Sequence, residues 1–308
     1  MNIAIIDLGT NTFNLFIARV SEGKYQPIYA TKDFVQLGKG GINNQIIRDD
    51  AIDRGMNTLN RFKKISIEHN CDKTIAIATS AIRNANNGQQ FVEKVLHEIG
   101  IEIQIIDGNQ EAEYIYLGAK QAVKLGNDTS IIMDVGGGST EFIICNQNKI
   151  LWKQSFEIGA ARLLEEFHTQ DPITQNEISK INEHLNSALS PLIEEAKKHR
   201  ASTLVGCSGA FSSFSAMIQS KDDLEDHINS ETTYVFNLSE FEKVHQTIIK
   251  STIEERLKLT GLVKERAPMI VVGTALVQFI LKKLNIKTFE MSKYALKEGV
   301  AVRFAKNL

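Results

Sequence analysis

The sequence of 308 residues predicts an α/β protein of two similar lobes with a cleft between them. Two observations predict it. The first is residues 131–144, Ile-Ile-Met-Asp-Val-Gly-Gly-Gly-Ser-Thr-Glu-Phe-Ile-Ile, where two apolar β-type runs meet at a glycine corner in the pattern of a tight hairpin. The second is that the pattern recurs at residues 3–17, Ile-Ala-Ile-Ile-Asp-Leu-Gly-Thr-Asn-Thr-Phe-Asn-Leu-Phe-Ile. Laid on each other, Asp7 matches Asp134, Gly9 matches Gly136, Thr12 matches Ser139 and Asn14 falls on Glu141. Two copies of one strand–Asp–x–Gly–turn–strand unit imply two related lobes, each offering its hairpin to the space between them.

The chemistry of these corners points to anions. Consecutive glycines free the backbone to aim several N–H groups at one point, forming an anion-binding nest. Gly136, Gly137, Gly138 and Ser139 are the candidates in the second copy, and Gly9, Thr10, Asn11 and Thr12 in the first. The first copy has fewer glycines, so the Thr10 and Thr12 hydroxyls supply part of its grip. Asp134 and Glu141 flank the second corner and Asp7 the first. Carboxylates beside phosphate-binding amides suit a hard divalent cation such as Mg²⁺. For one corner alone, a plain surface hairpin with acidic ends is an equal reading; the repeat is what favours the site.

The remaining elements follow in order. Residues 24–34 read as a third strand after the turn 21–23, and 38–41 (Gly-Lys-Gly-Gly) as a flexible connection that lacks the Lys-Ser/Thr of a P-loop. Residues 49–69 form an amphipathic helix with Ile52, Met56, Leu59 and Phe62 on one face. A buried strand at 74–79, a helix at 88–99, a strand at 101–106 and a helix at 110–125 complete the first unit. Three meandering strands followed by helix, strand, helix, strand is the order of a ribonuclease H-like domain. The second half repeats it: strands at 129–134, 140–145 and 150–157, a short helix at 159–167, and a long helix to 198 opened by the capping box Thr174-x-x-Glu177. A strand at 203–206 leads into a helix that starts at 207–210. Residues 220–231 read as a mobile loop. Capping boxes at Ser239/Glu242 and Ser251/Glu254 frame two helices. Residues 269–272 read as a strand, 274–284 as a helix and 287–291 as a strand. The final helix, 294–306, packs back on the first domain. The expected domains are 1–122 with 293–308, and 123–292, joined by a hinge.

Composition narrows the function class. A net charge of −2 and a pI of about 6.4 argue against bulk electrostatic binding to nucleic acid or membrane. The dispersed Cys71, Cys145 and Cys207 read as free thiols of a reducing compartment. A strand starting within two residues of Met1 leaves no room for a signal peptide, and the apolar stretch 269–281 is too short to span a membrane. The expectation is a cytoplasmic enzyme.

Further side chains are candidates for chemistry. Arg83 follows a buried strand, where its guanidinium could meet phosphate oxygens; a surface ion pair is the alternative. Glu111 opens a helix and could take a proton from water; pairing with the helix dipole is the alternative, as it is for the neighbouring Glu113. Gly206, Ser208 and Gly209 form a strand–helix junction whose amides could hold an anion, or whose glycines serve close packing. Arg162, Arg256 and Arg266 are groove candidates or surface-paired residues. The seven histidines form no metal-type set.

Taken in order, residues 5–13, 78–83, 108–112, 134–141, 159–163, 206–209 and 265–267 resemble the signature blocks of the exopolyphosphatase/guanosine-pentaphosphate phosphohydrolase (Ppx/GppA) family. That family belongs to the superfamily of sugar kinases, heat-shock chaperones and actin. The resemblance covers nearly the whole chain and implies two ribonuclease H-like (actin-like ATPase) domains. It further implies Glu111 as the general base or water orienter, Arg83 as the grip on the attacked phosphate, and Asp134, Glu141 and Asp7 as holders of Mg²⁺ (or Mn²⁺). A homodimer is implied as well. The chain departs from the family in three places. Gln110 stands where many members have a second Glu, Lys297 replaces the usual Arg of Leu-Arg-Glu-Gly, and the expectation is a short, two-domain member rather than a long one with an added C-terminal helical region.

The expected activity is therefore Mg²⁺-dependent removal of terminal phosphate from inorganic polyphosphate by water attack. Guanosine pentaphosphate is the alternative substrate, separable only by whether the cleft holds a guanosine. An ATP-dependent kinase would need an adenosine pocket, for which Phe211 and Phe214 look bulky. A non-enzymatic nucleotide switch is a third class.

Overall fold

The computed structural model describes residues 1–219 and 231–307. The first lobe runs β1 (Asn2–Leu8), β2 (Phe13–Ser21), β3 (Lys24–Asp33), α1 (Asp49–Glu68), β4 (Lys73–Ala78), α2 (Ser80–Asn84), α3 (Gly88–Ile99), β5 (Ile103–Ile105) and α4 (Gly108–Ala122). The second runs β6 (Ser130–Val135), β7 (Thr140–Cys145), β8 (Ile150–Phe156), α5 (Ala160–Phe167), α6 (Gln175–Ala188), α7 (Ser190–Lys198), β9 (Thr203–Cys207) and α8 (Gly209–Gln219). It continues through β10 (Thr233–Phe236), α9 (Leu238–Lys250), α10 (Ile253–Arg256), α11 (Ile270–Lys283) and β11 (Thr288–Ser292). The last helix is α12 (Leu296–Lys306).

The two sheets share one topology. The first is ordered β3-β2-β1-β4-β5 and the second β8-β7-β6-β9-β11, extended at its edge by β10. In each, two antiparallel pairings join the opening meander and the central strand pairs in parallel with the next. This is the ribonuclease H-like order in both lobes. The registers match as well: Asp7 lies opposite Asn14 on β2, and Asp134 opposite Glu141 on β7.

Strand alternation decides which way each residue faces. Ala4, Ile6 and Leu8 enter the core under α1 and α3, while Ile3 and Ile5 join a second core that also takes in Ile132, Ile143, Val205, α4 and α12. Ile131, Met133 and Val135 face the third core, among the helices of the second lobe. Both faces of β1 and β6 are buried, which is why these strands read as continuous apolar runs rather than alternating ones. Asp7 has the parity of Ile3 and Ile5; Asp134 and Glu141 have that of Ile132 and Ile143. All three carboxylates therefore face the layer shared by the lobes.

That layer is closed by two helices in close contact. A Cβ on Gly118 of α4 would lie 1.8 Å from the Ala295 carbonyl oxygen, and one on Gly299 of α12 would lie 1.7 Å from the Tyr114 oxygen. Backbone meets backbone at this crossing, so α12 rests on α4 and on the first sheet.

Several local expectations are corrected. Residues 269–272 are not a strand but the cap and first turn of α11. That helix is buried on almost every side, so its sequence carries no helical period. The helix expected up to 198 is interrupted at Leu189, with Pro191 in the first turn of α7, where a missing N–H is tolerated. The cap of α9 is Asn237, whose side chain accepts from Ser239 and Glu240 N–H, and the capping box of α10 is Thr252/Glu255. The expected boxes at Ser239/Glu242 and Ser251/Glu254 are thus out of register. The expected loop at 220–231 lies, apart from its last residue, outside the described residues. All three cysteines are free thiols. Among the described residues no helix is long and apolar enough to cross a membrane.

Candidate active site

The two hairpin corners meet. A Cβ on Gly137 would stand 2.9 Å from the Thr10 Cβ, and one on Gly138 would stand 2.5 Å from the Ser80 Oγ and 2.7 Å from the Thr10 Oγ1. These glycines are required because the first lobe fills the space where side chains would be. Gly9 and Gly136 have a separate and shared reason: a Cβ there would lie 2.8 Å from the Thr12 and Ser139 carbonyl oxygens, respectively. The identical figure in both copies bears out their alignment.

The amides are aimed by anchoring the carbonyls. In the second corner, the carbonyls of Gly136, Gly137 and Gly138 accept from the N–H groups of Ala160 (2.9 Å), Ala161 (2.8 Å) and Gly159 (3.3 Å) at the start of α5. A trans peptide sends its N–H opposite to its C=O, so the N–H groups of Gly137, Gly138 and Ser139 point away from α5. In the first corner, the Thr10 carbonyl accepts from Gly38 N–H (3.0 Å) and the Asn11 carbonyl from Gln36 N–H (2.8 Å), which turns the Asn11 and Thr12 amides the other way. None of Gly136, Gly137 and Gly138 takes a left-handed φ. The fan of donors comes from carbonyl anchoring, not from the glycine torsions that the sequence suggested. Segment 36–41 is correspondingly an anchor for the first corner, rather than the flexible connection expected.

One cleft is lined by Asp7, Gly9, Thr10, Asn11, Thr12, Glu111, Asp134, Gly136, Gly137, Gly138, Ser139, Glu141, Ser208 and Gly209, with the basic Lys32, Arg266, Lys293 and Lys297 around it. Two expected members lie elsewhere. Gly206 sits in β9, where a Cβ would strike the Phe211 ring at 2.1 Å, so its identity answers to packing. Arg83 lies behind the wall: its Nη1 donates to Glu111 Oε2 at 2.9 Å and to the Ile106 carbonyl at 3.0 Å. Arg256, a groove candidate, is instead a buried clamp on the Asp171 carboxylate (2.7 Å) and on the carbonyls of Ala267 and Ser251. Arg162 pairs with Glu157 at 2.9 Å. Phe211 and Phe214 are fully buried in the second-lobe core, so they do not crowd the cleft as expected.

The carboxylates act on one another. Burial, opposed by the Asn14 amide at 2.9 Å, pushes Asp7 up to about 6. Burial, then the charges of Glu141 and Asp7, push Asp134 up to about 8. Burial also raises Glu141, against the hydroxyls of Ser139 and Ser155, the latter donating at 2.7 Å. Glu111 rises well above its ordinary value through burial and Glu141, with Arg83 opposing. Four acids crowded in one buried place are an arrangement that a cation would relieve. Among the described residues no three His, Cys, Asp or Glu side chains are grouped so that together they could hold a metal ion.

Ser208 completes the cleft at the strand–helix junction. Its φ is +89° and its buried Oγ has no hydrogen-bond partner. A strained non-glycine residue with an orphaned hydroxyl marks a place where a ligand atom fits.

The profile of the Ppx/GppA phosphatase family matches residues 16–308. The chain belongs to the Ppx/GppA phosphatase family. It is 26% identical over 308 residues to Exopolyphosphatase 1 of Mycobacterium leprae, covering 98% of this chain and 89% of that one. A crystal structure of an exopolyphosphatase from Cytophaga hutchinsonii superposes with a TM-score of 0.95 at 37% identity, covering 100% of this chain and 99% of the other. The Aquifex aeolicus PPX-GPPA enzyme superposes at 0.81 with 28% identity, covering 98% and 99%.

The cleft of this Ppx/GppA member also contains residues that motif reading passed over. Ser80 follows β4 and Lys293 follows β11. Together with Asp7, Asp134 and Ser208 they stand at the carboxyl ends of the parallel strands, where α/β sheets bind ligands. That rule, applied to each strand end, would have found them. Lys32 sits on the antiparallel β3, where no local signal distinguishes it.

Proposed function

We propose that this protein is a Mg²⁺-dependent exopolyphosphatase, releasing the terminal phosphate of inorganic polyphosphate by attack of water. The observation that carries this reading is the meeting of two amide-bearing corners, one from each lobe, beside four buried carboxylates. A linear polyanion presents successive phosphates to both corners at once. Asp134 and Glu141 would hold Mg²⁺, with Asp7 beside them, since that ion takes one or two carboxylates and otherwise keeps waters and phosphate oxygens. The ion would offset charge on the transferring group.

Glu111 is positioned to orient the attacking water, its Oε2 steadied by Arg83. The water oxygen bonds to the terminal phosphorus as the bridging P–O bond breaks. The electron pair leaves on the shortened chain, and the proton passes to Glu111. A raised carboxylate suits a base working near neutral pH. The amides of Asn11, Thr12, Gly137, Gly138 and Ser139 offset the charge carried by the phosphate oxygens. The relatives named exopolyphosphatase favour this substrate over guanosine pentaphosphate.

The test is phosphate release from long polyphosphate, tripolyphosphate, guanosine pentaphosphate and ATP, each with Mg²⁺ and with EDTA. Release from polyphosphate alone, lost in EDTA, is expected. A preference for guanosine pentaphosphate, or release undiminished by EDTA, would overturn the assignment.

A further inference from the structure

At the end of the cleft where the corners touch, one carboxylate holds two donors and forms a longer ion pair with a third group. Glu157 Oε2 accepts from Ser80 Oγ at 3.0 Å and from Arg162 Nη2 at 2.9 Å, and its Oε1 lies 3.7 Å from Arg83 Nη2. We propose that Glu157 is a built-in occupant of an anion subsite formed by Arg83, Arg162 and the Ser80 hydroxyl, and that a phosphate of the substrate displaces it. The inference rests on the polyphosphate reading above.

The donors stay in place without the carboxylate. Arg83 is rooted by the Ile106 carbonyl and Glu111. Arg162 is rooted by the carbonyls of Gly138 (2.8 Å) and Ile42 (3.1 Å). Ser80 Oγ is fixed by the Asn84 amide at 3.2 Å. The acceptor differs from them: the Glu157 side chain is 47% exposed, against 16% for Arg83 and 12% for Arg162. It follows the last residue of β8 and meets water on one side, so it can swing outward while the donors remain.

Two guanidinium groups and a hydroxyl converging on two oxygens fit phosphate as well as they fit carboxylate. The subsite is continuous with the cleft, because Ser80 both lines it and bonds Glu157. A chain of phosphates leaving the corners past Ser80 would next meet Arg83 and Arg162. Displacement of Glu157 also opens Arg83 Nη2 to a substrate phosphate, while Nη1 keeps its bonds to Ile106 and Glu111.

Glu157→Gln and Glu157→Ala test this. Removing a competing charge of about 1 kcal/mol should lower KM for long polyphosphate about fivefold in both variants. By calorimetry, inorganic pyrophosphate should also bind both more tightly than it binds the unsubstituted protein. A KM that rises, more in Ala than in Gln, would show Glu157 to be a scaffold for the arginines and overturn the proposal. Unchanged KM and pyrophosphate affinity would overturn it too. The pyrophosphate titration does not depend on turnover, so it decides the subsite even if the phosphate-release panel assigns the chain another phosphoanhydride. Thermal melts of both variants confirm that the fold is retained.

Discussion

Replacing Glu111 by Gln separates a catalytic role from a structural one. The side chain is 9% exposed and its Oε2 meets Arg83 Nη1 at 2.9 Å. Gln preserves the volume and leaves an oxygen to accept from Arg83, but carries no charge and takes no proton. Loss of a general base costs about 10²- to 10⁴-fold in kcat, and a fall of that size in phosphate release is expected. Stability should move the other way. Burial and Glu141 hold the Glu111 carboxyl above its ordinary value, so the folded chain binds more protons than the unfolded one over that range. Its contribution to stability is then full below the unfolded pKa and lost as pH rises through the folded one. The loss is at most about 1.4 kcal/mol per pH unit for one proton. Gln escapes this loss, so its melting temperature, measured without divalent cations, should gain on the unsubstituted protein as pH rises above the ordinary carboxylate range. At a few degrees per kcal/mol the gain is readable by scanning calorimetry. A variant with kcat within about tenfold of the original would refute Glu111 as base. A variant that lost activity together with stability at every pH would show only that the carboxylate holds the cleft together.

Two other outcomes follow from the same geometry. Gly138→Ala would place a methyl group 2.5 Å from the Ser80 Oγ and 2.7 Å from the Thr10 Oγ1, wedging the corners apart; about 1–3 kcal/mol of stability by urea unfolding should be lost together with turnover, and a neutral variant would mean that the lobes do not meet so closely in solution. In EDTA, Asp7 at about 6 and Asp134 at about 8, both raised above 3.8, must give up protons as pH rises. Metal-free stability should therefore fall from pH 5 to pH 8.5, and stabilisation by added Mg²⁺ should grow over the same range; a melting temperature indifferent to Mg²⁺ at every pH would count against these carboxylates as its ligands.

The sequence by itself determined the repeated unit and most of the elements built from it. The aligned Asp7/Asp134 and Gly9/Gly136 are local: each depends on a strand, its end and a two-strand register, all encoded within about fifteen residues. The order of strands and helices likewise fixed the sheet topology, because meander and crossover connections leave few alternatives. What failed was the reading of fully buried segments. Residues 269–272 carry no polar face, so nothing in them distinguishes strand from helix until the second lobe encloses α11. Only the tertiary structure decided that Gly137 and Gly138 make room for Thr10 and Ser80. It also decided that α5 and the 36–38 segment aim the amides by drawing off their carbonyls, and that Arg83 stands behind Glu111 with Glu157 across it. The physical reason is that a side chain's partner at a distance of 77 or 125 residues along the chain, as in Ser80 with Glu157 or Gly40 with Glu165, leaves no periodicity in either segment. Such contacts exist only where the two lobes meet.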